Sequence, residues 1–298
     1  MTGQTLRAAT RSSPLARWQA DHVAALLRRA HPGLAVEIVP VDTEGDRRLD
    51  VPISSFGGKG VFAKEVQAAV LDGRADFAVH SAKDLPAVTV PGLALACVPA
   101  RGDARDALVG STLEGLASGA VVATGSQRRR AQLSALRPDL SFTELRGNMA
   151  TRLSKVPSGG AIVVAAVALE RLGLTDHLSE VLDVDQMVPQ VGQGALAVEC
   201  RADDAATFDL LQAVEDGRSR RRVDAERAFL AELGGDCDLP AGAHATLDAG
   251  EDAGVLRLDA FLAESGEPGA GSARFSAAGD DPESVGIAAA RHLREALG

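Results

Sequence analysis

The chain has 298 residues, with 31 Lys and Arg against 41 Asp and Glu, for a formal net charge of −10. At roughly 100–200 residues per domain this length allows two or three domains, and a chain so long buries a substantial core without staples. The acidic balance argues against a nucleic-acid or anionic-membrane binder, and the absence of Tyr with a single Trp leaves little to stack on bases.

The first two-thirds alternate strands and helices. Thr5–Thr10 reads as a strand. Ser13-Pro14 then marks a helix start, because Ser is a favoured cap and Pro a favoured first residue, and the periodic stretch Leu15–Arg29 follows. Ala35–Val41 is a second strand. Residues 43–60 are polar and glycine-rich, the signature of a long functional loop. Phe62–Leu71 reads as a helix, and Ala75–His80 and Leu93–Val98 as strands. Further on, Ala120–Thr124, Ser141–Leu145, Ala161–Ala166 and Ala195–Cys200 read as strands. Helices start at Ser126, Met149 and Leu169. Such alternation predicts parallel sheets covered by helices. The last 80 residues differ: a helix at Val223–Leu233, strands at Ala243–Leu247, Leu256–Leu262 and Ala273–Ala277, and a helix at Ser284–Leu297 predict a small α+β domain.

No apolar run is long enough to cross a bilayer, and Met1–Leu15 lacks the apolar core of a signal peptide, so a cytoplasmic protein is expected. Cys97, Cys200 and Cys237 are odd in number and far apart, unlike a disulfide framework or a zinc site. Cys97 and Cys200 lie in apolar strands and read as core. Cys237 sits in a glycine-rich loop, either as an incidental thiol or as a reactive one.

Several segments could carry chemistry. Arg11-Ser-Ser13, Thr124-Gly-Ser126 with Arg128 and Arg129, and Arg146-Gly-Asn148 with Arg152 all stand where a strand gives way to a helix. A helix start attracts anions and disfavours cations, so paired arginines there make sense if they hold a carboxylate or phosphate. The alternative is salt bridging at the surface. His80-Ser-Ala-Lys-Asp84-Leu-Pro86 follows a strand at the edge where α/β active sites form. Asp84 is either an acid/base group or a turn residue paired with Lys83. Arg218-Ser-Arg-Arg-Arg222 reads as the solvated start of a helix or a linker.

Taken together, these motifs resemble the porphobilinogen deaminases (hydroxymethylbilane synthases). The resemblance rests on the order and spacing of Thr10-Arg-Ser-Ser-Pro-Leu-Ala16, Gly57-Gly-Lys-Gly60 and His80–Pro86. It continues through Leu145-Arg-Gly-Asn148, Thr151-Arg-Leu-Ser-Lys155, Val191-Gly-Gln-Gly-Ala195 and the Gly-Gly…Cys237 loop. It implies an enzyme that joins four porphobilinogen units head to tail into a linear tetrapyrrole, releasing ammonia at each step. It implies a dipyrromethane cofactor held by a thioether to Cys237, and Asp84 as the catalytic residue. The cofactor-binding residues implied are Lys83, Arg128, Arg129, Arg146, Ser126, Thr124 and Ser81, and the substrate-binding ones Arg11, Ser13, Arg152, Arg171, Lys59 and Gln193.

The same resemblance implies no metal, no nucleic acid and no membrane, and a monomer as the working state. The fold implied is α/β: two domains like those of periplasmic binding proteins plus a small α+β C-terminal domain. Residues 1–99 with 195–214 form the first, 100–194 the second, and 218–298 the third, which bears the cofactor cysteine. The competing reading is a bilobed binder that captures an acidic small molecule without turning it over. Asp84 discriminates, because a pure carboxylate binder gains nothing from a carboxylate in its cleft.

Overall fold

The computed structural model describes residues 4–43, 63–234, 239–248 and 254–298. Two five-stranded sheets and one three-stranded sheet organise the chain. The first unit begins β1 (Thr5–Arg11), α1 (Pro14–Ala30), β2 (Ala35–Val41), α2 (Lys64–Leu71), β3 (Phe77–Ser81) and β4 (Leu93–Cys97). The chain then crosses to β5 (Asp106–Val109), β6 (Val121–Ala123), α3 (Gln127–Leu136), β7 (Ser141–Thr143), α4 (Met149–Leu153), β8 (Ala161–Ala165), α5 (Ala166–Arg171) and β9 (Glu180–Leu182). It returns as β10 (Leu196–Arg201) and α6 (Ala205–Gln212), and ends with α7 (Gly217–Glu232), β11 (Ala241–Leu247), β12 (Leu256–Ala263), β13 (Ser272–Gly279) and α8 (Pro282–Leu297).

The two large sheets share one plan. The first has the order β2-β1-β3-β10-β4 and the second β7-β6-β8-β5-β9. Three parallel strands sit at one side of each. An antiparallel strand follows, β10 against β3 and β4 in one sheet, β5 against β8 and β9 in the other. The sheets are therefore mixed, not wholly parallel as the strand–helix alternation predicts. The fourth strand of each is delivered by a crossing segment rather than by a local helical connection. Strands β5 and β9 and helix α6 have no counterpart in the elements read from sequence. β5 and β9 are only four and three residues long, too short for a period to show.

Burial explains why the sheets hold. In the first, Val23 and Leu27 of α1 pack on Phe77, Leu196 and Val198. The other face packs Val66 and Val70 of α2 on Ala9 and Ala78. In the second, Leu133 of α3 meets Leu108, Val122, Val163 and Leu182. The third sheet is antiparallel, order β11-β12-β13. Phe229 and Leu230 of α7 and Ala289 and Leu293 of α8 cover it, meeting Ala243, Ala245, Leu256 and Leu258. Every such residue is nearly water-free, and each fully buried side chain of this size contributes about 1.5–3 kcal/mol.

Two chain crossings join the large sheets, and they lie against one another. Gly102 N donates to Gly194 O at 3.2 Å, and Arg101 Nε donates to Gln193 O at 2.9 Å. Gly194 has φ +85, and a Cβ there would stand 2.6 Å from Gly102 O, so only glycine allows this approach. Buried Glu226 of α7 binds both crossings, accepting from the Arg101 guanidinium at 2.6 and 3.0 Å and from Gly192 N at 2.7 Å. It also accepts from Ala245 N at 2.8 Å, which fixes the third sheet to the junction.

Of the two readings of the Arg218–Arg222 run, a helix start or a linker, the structure has the helix start. The run lies within α7, which starts at Gly217 under an Asp216 cap. Its guanidinium groups are not simply solvated: Arg218 donates to Leu247 O, Arg220 to Leu95 O, and Arg221 to Gly254 O and Asp280 O. Among the described residues, no helix is long and apolar enough to cross a membrane.

Candidate active site

Ser81 ends β3, and a single helical turn, Ala82–Asp84, lifts Lys83 and Asp84 off the sheet edge. Ser81 Oγ accepts from Gln19 Nε2 of α1 at 2.8 Å, which anchors that edge. His80 Nε2 lies 3.3 Å from Glu199 Oε2 beneath it, both groups buried. Leu85 N closes the turn on Ala82 O. Gly192, at φ +71, passes so close that a Cβ would touch Ala82 and the Lys83 amide at 3.0–3.1 Å. The catalytic candidate thus stands on a short, tightly backed turn.

Arg11 ends the neighbouring strand β1, and its Nη1 lies 3.8 Å from Asp84 Oδ2. Ser13 caps α1, its side chain accepting from Ala16 N. Across from these, Ser126 caps α3, accepting from Arg129 N, and Thr124 Oγ1 accepts from Ser126 N at 3.2 Å. Asn148 caps α4, accepting from Thr151 N at 3.0 Å. Arg152 Nε donates to Gly147 O at 2.8 Å, and Lys155 Nζ to Arg146 O at 3.3 Å. Arg146 Nη1 is buried with no hydrogen-bond partner.

Electrostatics show which groups share one space. Burial pushes the Lys83 ammonium down to about 8. Arg129 and Arg152 push the same way, while Asp84 and Asp106 oppose them. Burial also pulls the Arg152 guanidinium down to about 10, with Arg129, Arg11 and Arg146 adding to it and Asp84 opposing. Lys83, Asp84, Arg11, Arg129, Arg146 and Arg152 therefore form one cluster. Within it Lys83 and Arg152 both feel Asp84, while Arg129 is paired inward with Asp106 at 2.7 Å. Cations gathered at this density repel one another, and anionic ligand groups relieve that repulsion.

Several expected residues also make bonds into the protein interior. Arg128 is turned into the protein, donating from Nη1 to Val188 O and from Nη2 to Asp106 Oδ2 at 2.8 Å. Arg129 donates from Nη2 to Asp106 Oδ1 at 2.7 Å and from Nη1 to Val163 O at 2.9 Å. From sequence, this arginine pair faces either an external anion or a surface salt bridge. The structure adds a third: a buried internal carboxylate. Arg171 ends α5 apart from the cluster, donating to Gly194 O at 2.7 Å, with its guanidinium 5.3 Å from the Trp18 ring. Burial pulls it down to about 10, and Glu170 opposes that fall. Gln193 is buried and accepts from Lys83 Nζ at 3.1 Å. Lys59 and Cys237 lie outside the described residues.

The donor set fits a carboxylate-rich group. Arg146 and Arg152 have no ion pair among the described residues, and the orphaned Arg146 Nη1 leaves a fork donor to be used. Sequence reasoning missed Asp106. The signal was present, because two adjacent arginines in a first turn demand an anion, and none was sought inside the protein.

Comparison with known proteins gives the family. Residues 6–209 match the family model described as porphobilinogen deaminase, dipyromethane cofactor binding domain. Residues 220–295 match the model for the porphobilinogen deaminase C-terminal domain. A porphobilinogen deaminase of Roseiflexus sp. is 47% identical over 295 residues, 97% of this chain and 96% of that protein. One from Syntrophotalea carbinolica is 48% identical over 252 residues, 83% of this chain and 80% of that protein. Among solved structures, the methionine binding protein MetQ aligns with TM-score 0.44 and 12% identity, over 78% of this chain and 95% of that one. With both family models matched in order across nearly the whole length, the chain belongs to the porphobilinogen deaminases and carries their dipyrromethane-binding domain.

Proposed function

We propose that this chain is a transferase, a hydroxymethylbilane synthase, that condenses four porphobilinogen molecules head to tail on a dipyrromethane attached to Cys237. The observation that carries the reading is the Asp84 carboxylate, 3.8 Å from Arg11 and acting on the buried Lys83 and Arg152. Each pyrrole bears carboxylate side chains, so a growing chain is a string of anions. Arg146 and Arg152 at the start of α4, with Arg11 and Lys83 opposite, bind and orient those groups; Arg forks can do so bidentately. Ser126, Thr124 and Ser81 shape the same edges, and Ser13 fixes the start of α1 beside Arg11. When bound, the dipyrromethane supplies the pyrrole carbon at which the first substrate is joined.

Asp84 does the chemistry. Its carboxyl hands a proton to the substrate's amine, and the C–N bond breaks with release of ammonia. Its carboxylate then faces the electron-poor carbon left behind and stabilises that cation. A C–C bond forms to the acceptor pyrrole, and the proton lost from the attacked carbon returns to Asp84. Proton and charge are thereby balanced over one cycle. On this reading the domains are residues 1–99 with 195–214, 100–194 and 218–298.

Intact mass spectrometry of the purified chain tests the attachment. The expected result is one dipyrromethane of added mass, mapped to Cys237; an unmodified chain with full turnover would overturn it. Asp84→Asn should bind substrate yet release ammonia at least ~100-fold more slowly, the scale of acid/base catalysis. Near-normal release from that variant would remove Asp84 from the chemistry.

A further inference from the structure

Arg128, Arg129, Gln193 and Lys83 come from three separate stretches of chain, and one carboxylate joins them. Asp106 opens β5 and is wholly buried. Its Oδ1 accepts from Arg129 Nε at 3.1 Å, Arg129 Nη2 at 2.7 Å and Gln193 Nε2 at 2.9 Å. Its Oδ2 accepts from Arg128 Nη2 at 2.8 Å. Gln193 Nε2 donates also to Ala104 O at 2.7 Å, and its Oε1 accepts from Lys83 Nζ at 3.1 Å. Hydrogen bonds thus run unbroken from α3, through β5 and the return crossing, to the residue beside Asp84.

We propose that Asp106 is the positioning residue of the basic cluster: it locks the forks of Arg128 and Arg129 and, through the Gln193 amide, aims Lys83 Nζ alongside Asp84. This rests on the reading above, in which these cations hold the dipyrromethane and the growing chain.

The acceptor-only chemistry of a carboxylate is what makes the relay directional. A Gln amide has an acceptor end and a donor end. Asp106 accepts only, so the Gln193 NH2 must face it, and the Gln193 oxygen must then face Lys83. An Asn at 106 offers one acceptor oxygen for four N–H donors and sets its own NH2 among them. The Gln193 NH2 then keeps Ala104 O but loses its charged acceptor, and the hold of Gln193 on Lys83 slackens. Burial alone disfavours ionisation of Asp106, but Arg128 and Arg129 outweigh burial and hold it well below the usual carboxylate range. The charged groups acting on Lys83 are Arg129, Arg152, Asp84 and Asp106.

The four lysines of the chain make this testable. With 13C at lysine Cε, NMR shows four titrating signals, and Lys83→Arg assigns one. The measurement is made on the full chain and on a Cys237→Ser background, which holds the attached group constant across variants. Asp106→Asn should lower the Lys83 midpoint by about half a unit or more, because a nearby negative charge is removed from a buried contact. With Cys237 intact, Asp106→Asn should also cut kcat/KM by about 100-fold, the scale of a misplaced group. Asp106→Glu should return the midpoint towards that of the parent. If Asp106→Asn does not fold, Gln193→Met carries the test: both arginines keep their carboxylate, and Lys83 loses its only amide acceptor, so its midpoint falls. A folded Asp106→Asn or Gln193→Met with the parental Lys83 midpoint would overturn the proposal. A parent chain with no added mass and no ammonia release would instead overturn the functional reading, leaving the midpoint shifts in place.

Discussion

The first turns of α3 and α4 look alike in sequence and differ in what lies beneath them. Both have a polar cap, Ser126 in one and Asn148 in the other, and both have arginines close by: Arg128 and Arg129 just inside α3, Arg146 before the α4 cap and Arg152 in its last turn. Under α3 lies Asp106, and Arg128 and Arg129 are spent on it. Under α4 there is no such group among the described residues, and Arg146 and Arg152 remain for an external anion. A cation at a helix start signals only that an anion is needed. Whether that anion belongs to the protein or to a ligand is decided by a residue far away in sequence.

The difference predicts opposite phenotypes for similar substitutions. Arg128→Leu should be the most damaging to the fold, because it breaks a buried pair, and such losses run to about 3–5 kcal/mol. Urea denaturation checks it, and a loss below ~1 kcal/mol would show that Arg128 is not structural. Arg146→Leu should instead leave stability within about 0.5 kcal/mol, as for an ordinary partly exposed site. Its effect should fall on ligand binding, where a charged hydrogen bond contributes about 1.5–3 kcal/mol, or 10- to 100-fold in affinity. Chain products separated by mass should then stall at short intermediates; full-length product at the parental rate would erase the contrast with Arg128.

Lys83 belongs to both worlds, since it is held by Gln193 and faces the cluster. Its folded value of about 8 lies below its ordinary 10.5. Below about pH 8 it is charged and able to hold a carboxylate, so KM should rise by about tenfold per unit of pH above that point if this contact is required. Folding shows the reverse trend. The cost of burying the ammonium is fully present below pH 8 and is relieved as pH rises from about 8 to 10.5, where the unfolded chain holds more protons. Lys83→Met should therefore gain more stability at pH 7 than at pH 10, measured by thermal melting. The smallest effects belong to the caps. Ser126→Ala and Asn148→Ala should each cost about 1 kcal/mol. Only Asn148→Ala should also loosen ligand binding, because the α3 arginines have Asp106 to hold them.

Much of this was legible in the sequence because local rules act locally. Ser13, Ser126 and Asn148 are caps that the residue types announce, and β1, β2, β4 and β8 are apolar runs with clear ends. What was not legible depends on distance along the chain. The antiparallel fourth strand of each sheet is set by a crossing, not by its own pattern. The Arg218–Arg222 run reads as a helix start or a linker, and what its residue types do not show is that its guanidinium groups find carbonyls on four other segments. Asp106 sits in Arg105-Asp106-Ala107, with nothing nearby to mark it as the partner of residues more than 20 positions on.

The crossing that returns as β10 has a consequence for how the protein is made. Strand β4 pairs with β10 alone, and β10 lies 99 or more residues behind it in order of synthesis. All five strands of the second sheet, by contrast, fall between Asp106 and Leu182. As the chain leaves the ribosome, the second sheet has every one of its strands before the first can close. For that interval Leu93–Cys97 has an unpaired edge, and Lys83 and Asp84 stand on a sheet not yet complete. The bond from Lys83 to Gln193, and the pairing of β3 with β10 beneath it, can therefore form only after the return crossing has emerged.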